Sequence, residues 1–129
     1  MSSVPSDLRY TEDHEWTKLE GELVVVGITE HAQSSLGDVV FLELPDAGKQ
    51  ITKGKAFGVV ESVKAVSDLY APIDGEVVEV NQGLVASPET INKDAYGSWL
   101  IKVRPTNAAK LDELLDAAGY AALLEKIAK

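Results

Sequence analysis

Val60-Glu61-Ser62-Val63-Lys64-Ala65-Val66-Ser67-Asp68-Leu69 is nearly a palindrome about Lys64-Ala65. Val63 mirrors Val66, Ser62 mirrors Ser67, Glu61 mirrors Asp68 and Val60 mirrors Leu69. Antiparallel strands joined by a two-residue loop pair residues in this mirrored way. The pattern predicts a β-hairpin with Lys64 at its tip, valines on one face and serines on the other. Two features oppose local preference. Tight hairpins favour Asn-Gly or Gly at the loop, and Lys-Ala supplies neither. Glu61 opposite Asp68 would place like charges across a strand pair. Departures from local rules are expected where function resides. A merely solvated turn lysine leaves this poor turn unexplained.

The surroundings single out the same side chain. Between residues 56 and 92, Lys64 is the only basic residue, against six acids: Glu61, Asp68, Asp74, Glu76, Glu79 and Glu89. A Schiff-base lysine needs burial or a cationic neighbour to depress its pKa. Acidic neighbours favour the ammonium instead. At a reference pKa of about 10.4, roughly one such lysine in a few thousand is neutral at pH 7. A spontaneous nucleophile is therefore disfavoured. A lysine modified by a dedicated enzyme fits better, with the hairpin as the address.

Outward from the hairpin, short apolar runs recur at residues 23–28, 39–44, 57–63, 66–70, 77–80 and 99–103. Turn residues fall between them, among them Pro45-Asp46-Ala47-Gly48, Gly54, Pro72, Gly75, Gly83, Pro88 and Gly97. Gly21 and Gly27 bound the first run. This punctuation predicts a sandwich or flattened barrel. Thr29 is an N-cap candidate for a short helix over residues 30–36, with Gly37 as its stop. The tail beyond residue 107 carries apolar stripes at Leu111, Leu114, Leu115 and Ala118, and at Leu123, Leu124 and Ile127. With Gly119 as an interruption, it reads as two short helices packed on the sheet. The expected fold class is mainly β with short helices (α+β). The expectation is one domain over residues 1–129, with a hairpin core over about 22–104 and a helical segment over about 107–128.

Composition excludes several function classes. The chain has 129 residues, 45% hydrophobic and 26% charged, enough for one buried core. Twelve basic against 21 acidic residues give a net charge of -9, which disfavours nucleic acid and anionic membrane surfaces. With no cysteine there is no disulfide, thiolate metal site or cysteine nucleophile. His14 and His31 are the only histidines, too few for a metal cluster. No apolar run approaches a membrane span, and the start has neither a signal-peptide nor a transit-peptide pattern. A cytosolic or already processed protein is expected.

Specific motifs then fall into place. Glu61-Ser62-Val63-Lys64-Ala65 resembles a lipoyl-attachment motif, and residues 48–80 resemble a biotinyl/lipoyl hairpin domain. Val63 and Ala65 stand where biotin carriers usually have methionine, which favours lipoate. Tyr10-Thr11-Glu12-Asp13-His14-Glu15-Trp16, Gly27-Ile28-Thr29-Glu30-His31-Ala32-Gln33 and Leu36-Gly37-Asp38-Val39-Val40-Phe41 resemble the H protein of the glycine cleavage system. The likeness runs from about residue 8 to 125. One departure is visible: residues 92–99 are one residue shorter than the usual family segment, which bears on the shape of that loop.

The resemblance implies a non-catalytic carrier. Lys64 would hold lipoate in amide linkage, taking the net charge from -9 to -10. The partners implied are a pyridoxal-phosphate-dependent glycine decarboxylase, a tetrahydrofolate-dependent aminomethyltransferase, dihydrolipoamide dehydrogenase, and a lipoate ligase or lipoyl transferase. The family shields the loaded arm in a cleft. Glu15 and Asp68 match family positions that would receive its cationic amine; the alternatives are a solvated strand charge and a hairpin charge that steers partners. His31 is a candidate for the cleft wall. His14 is expected to pack or hydrogen-bond locally, and Trp16 and Trp99 to serve as core or cleft wall. A bacterial cytoplasm is implied, or the mitochondrial matrix for a processed eukaryotic protein. A relay of lipoate to other complexes, a lipoyl carrier for another complex and an unmodified adaptor stay open as alternatives.

Overall fold

The computed structural model describes residues 4–127. Nine strands form two open sheets, not a closed barrel. The larger sheet has the order β1 (Arg9–Tyr10), β2 (Glu15–Glu20), β3 (Leu23–Ile28), β9 (Ile101–Pro105), β8 (Gly75–Val80) and β5 (Gln50–Ile51). The smaller has β4 (Val39–Glu43), β6 (Ala56–Ser62) and β7 (Val66–Tyr70). Every strand pairing is antiparallel. The mainly β expectation holds, in its two-sheet form. Beyond the expected runs, the sheet takes in residues 9–10, 15–20 and 50–51. The first two of these lack a clean apolar alternation.

β3 explains why its sequence is apolar without a break. Successive strand residues face opposite sides. Val24, Val26 and Ile28 enter the core shared with Leu42, Val60, Leu69 and Ile101, while Val25 enters a second cluster with Leu8, Tyr10, Trp16 and Tyr120. Both faces are covered, so no polar alternation is needed. Gly27 does not end this strand; it lies inside it. A Cβ there would stand 2.5 Å from the Trp16 indole, so glycine is the residue that lets Trp16 pack.

Helix α1 (Glu30–Leu36) begins as expected, the Thr29 hydroxyl accepting from the Ala32 N–H at 3.2 Å. It stops at Gly37, which has φ 80°, a conformation that favours glycine. Helices α2 (Gln82–Ala86) and α3 (Thr90–Lys93) fill the segment between β8 and β9. In the 92–99 loop, the Asp94 carboxylate accepts from the Gly97 N–H at 3.0 Å and closes the turn. The tail departs from expectation. Its first piece is a 3₁₀ helix (Ala108–Glu113), and α4 (Ala117–Ile127) runs straight through Gly119. The Asp116 carboxylate accepts from the Gly119 N–H at 2.8 Å, so Gly119 sits in a capped first turn instead of breaking the helix. α4 buries Tyr120, stacked on Tyr10 with ring centroids 4.5 Å apart. Such a pair contributes about 0.5–1.5 kcal/mol beyond its burial.

Candidate functional site

The β6–β7 hairpin is real, and Lys64 is exposed at its apex. Its register differs from the palindrome. Glu61 pairs Val66, Val60 pairs Ser67 and Val59 pairs Asp68. Ser62 closes on Ala65, its N–H donating to the Ala65 carbonyl at 2.8 Å, so the two-residue loop is Val63-Lys64. Glu61 and Asp68 are thereby not opposite each other, and the expected like-charge pair is removed. Two groups select this register. The Ser62 hydroxyl accepts from the Lys64 and Ala65 N–H groups at 3.3 and 3.1 Å. The Val63 N–H donates to Asp38 O at 3.0 Å, tying the tip to the neighbouring turn. Neither Val63 nor Lys64 has positive φ, so the loop is not a primed turn; a serine hydroxyl does the work that Asn-Gly would do elsewhere.

Beneath the tip lies the Gly37 turn. A Cβ on Gly37 would stand 3.3 Å from Lys64 Cε, so the lysine stem passes over a bare backbone. Asn92 anchors that turn: its amide donates to Gly37 O at 2.8 Å and to Gln33 Oε1 at 3.0 Å, and its carbonyl accepts from the Val39 N–H at 2.8 Å. Local sequence does not signal this role for Asn92. Its three partners are 53–59 residues away, beyond any local pattern.

A cleft of about 280 Å³ runs along β7, between the hairpin and the β1–β2 turn. It is lined by Ala65, Val66 and Asp68 on the hairpin side, Leu36 on α1, and His14 and Glu15 opposite. Asp68 is exposed, whereas Glu15 is only 2% exposed and is no solvated strand charge. Thr11 Oγ1 donates to one Glu15 oxygen at 2.6 Å and the Tyr70 N–H donates to the other at 3.3 Å. Burial outweighs both bonds and pushes the Glu15 carboxyl up to about 8. Thr11, which lies in the Tyr10–Trp16 motif without an assigned role, is a contributor that spacing did not reveal.

His14 has φ 70° and Nδ1 2.8 Å from the Tyr120 hydroxyl. Burial lowers its pKa, His31 adds to this, and Asp13 opposes it. His31 does not line the cleft itself; its ring stands behind that of His14, centroids 4.6 Å apart. Trp16 is core, donating to Ala95 O at 3.2 Å, and Trp99 lies half-buried under Lys102 at 5.0 Å. Among the described residues, no group of three or more His, Cys, Asp or Glu side chains is placed to hold a metal ion, and no helix is long and apolar enough to cross a membrane.

The chain that carries this exposed hairpin lysine and cleft has close relatives among known proteins. The family model described as glycine cleavage H-protein matches residues 8–127. The chain is 58% identical over 125 residues to glycine cleavage system H protein 2 of Pseudomonas putida, covering 96% of this chain and 98% of that protein. It is 56% identical over 127 residues to the glycine cleavage system H protein of Carboxydothermus hydrogenoformans, covering 98% of each. The crystal structure of a glycine cleavage system H protein from Mycobacterium marinum superposes with a TM-score of 0.85 at 46% identity, covering 92% of this chain and 97% of that one. The chain belongs to the glycine cleavage H-protein family, the lipoyl carriers of the glycine cleavage system.

Proposed function

We propose that Lys64 is the attachment point of lipoate and that the whole chain, residues 1–129, works as one carrier domain without a catalytic group of its own. The observation that carries this is the single exposed amine at a hairpin apex, with a cleft beginning at the adjacent Ala65 and ending at buried Glu15. When bound, lipoate supplies a dithiolane able to take up the aminomethyl group left by glycine decarboxylation, release it to the folate-dependent aminomethyltransferase and be reoxidised by dihydrolipoamide dehydrogenase. The chain's residues do the rest. Lys64 provides the stem of a tether of roughly 14 Å, from ordinary bond lengths. Tethering raises the local concentration of the reactive end at each partner's site. Ser62 and Asp38 hold the apex in shape for the lipoate ligase or lipoyl transferase.

Glu15 and Asp68, from opposite walls of the cleft, would receive a cationic amine, and the apolar Leu36 and Val66 would limit water there. His31 supports His14 from behind. The chain works where its three partner enzymes work; the bacterial sources of its relatives point to a bacterial cytoplasm.

Intact mass tests the attachment. Protein from its own host should carry one lipoyl group, absent in Lys64→Arg; an unmodified native protein overturns the reading. Reconstitution tests the role. Exchange of bicarbonate with the glycine carboxyl by the decarboxylase should depend on the lipoylated chain. Lipoylated protein that supports no exchange would instead be a lipoate relay or a carrier for another complex.

A further inference from the structure

The hydrogen-bond chain behind the cleft can be assigned proton by proton. Thr29 is fully buried, and its hydroxyl touches two polar groups. One is the Ala32 N–H at 3.2 Å, which can only donate to it. The other is the Tyr120 hydroxyl at 2.7 Å. The Thr29 proton therefore has one acceptor, the Tyr120 oxygen. The Tyr120 proton must then go elsewhere, and the group within reach is His14 Nδ1 at 2.8 Å. Nδ1 is consequently an acceptor, which places the ring proton on Nε2. The opposite direction would leave the Thr29 proton buried without a partner, at a cost of about 1–3 kcal/mol.

From this geometry we infer that α4, through Tyr120 and Thr29, locks His14 as the neutral Nε2–H tautomer and keeps an imidazolium off the cleft wall beside Glu15. Protonating His14 would turn Nδ1 into a donor facing a donor and break the chain. The groups around the ring are His31 on α1, Tyr120 on α4, Asp13 in its own turn, Glu15 on β2 and Asp68 across the cleft. The ordinary cost of burial acts in the same direction, and Tyr120, pushed up to about 12, keeps its proton throughout the working range. Resting on the carrier reading, the consequence is that a cationic cargo meets the carboxyl groups of Glu15 and Asp68 with no competing cation from His14.

The test uses the unlipoylated full chain, so its outcome is independent of whether Lys64 is modified. Long-range ¹H–¹⁵N correlation of the imidazoles reports the tautomer of His14 directly. The native protein should show Nδ1 unprotonated and Nε2 protonated. Thr29→Ser, which keeps cap and proton, should leave that pattern intact. Thr29→Ala removes the proton that sets the direction, so the spectrum should move to a mixture of tautomers and the His14 titration should shift upward toward the ordinary 6.5. A protonated Nδ1 in the native protein overturns the inference, whether or not the alanine variant folds. So does a Thr29→Ala spectrum and titration identical to the native one.

Discussion

Replacing Glu15 with glutamine isolates the energetic cost of holding a carboxyl beneath the cleft. The side chain is 2% exposed, with one donor at 2.6 Å and a long one at 3.3 Å. In the fold its pKa is pushed from 4.5 to about 8, chiefly by burial. The folded state therefore binds the proton more tightly than the unfolded chain. Stability is greater where the proton is on and falls as pH rises through the window from 4.5 to about 8. At 1.36 kcal/mol per pKa unit the full loss has a ceiling of about 5 kcal/mol.

Glutamine has nearly the same shape and does not titrate. The difference in unfolding free energy, native minus Glu15→Gln, removes the contribution of every other carboxyl. Urea denaturation of the unlipoylated proteins from pH 4 to pH 9 should show that difference falling by several kcal/mol across the window and levelling above it. A difference constant to within about 1 kcal/mol would refute the claim that burial of this carboxyl governs its protonation. The same variant bears on cargo. Where Glu15 is ionised, above about pH 8, a hydrogen bond to a charged group contributes about 1.5–3 kcal/mol, so there the loaded arm should lose protection by roughly ten- to a hundredfold in Glu15→Gln. Equal decay rates would remove Glu15 from the carrier account.

Three further substitutions test the frame around the lysine and the packing of Trp16. Ser62→Ala removes the hydroxyl that caps Lys64 and Ala65, and should cost about 1 kcal/mol and slow lipoylation by a purified ligase; an unchanged rate would mean the apex keeps its shape without the hydroxyl. Asn92→Ala strands Gly37 O and the Val39 N–H, and urea midpoints should report a loss of about 2–4 kcal/mol. Gly27→Ala drives a methyl into Trp16 and should cost about 1–3 kcal/mol, with a change in tryptophan fluorescence; normal stability would show that the indole can move aside.

Much of the fold was legible because it rests on local physics. The apolar run of β3, the Thr29 cap and the Gly37 stop each need only neighbours in sequence, and each appears where expected. Gly119 and Gly27 show the limit of that approach. A glycine reads locally as a break, but the Asp116 cap absorbs the first and the Trp16 indole requires the second. The edge strands β1 and β5 are two residues each, too short for any periodicity to register.

By its residues alone the chain specified a lone lysine on a β-hairpin, an acidic surface without cysteine, and a family likeness along most of its length. Those features survive because composition and motif spacing do not depend on which distant segments meet. Tertiary structure decided the hairpin register, through Ser62 and the Asp38 carbonyl, and it decided that Glu15 is buried while Asp68 is not. It also joined Thr29, Tyr120 and His14 into one proton chain across 106 residues. Burial and directed hydrogen bonds are set by which strands and helices come to lie side by side, and no local pattern encodes that.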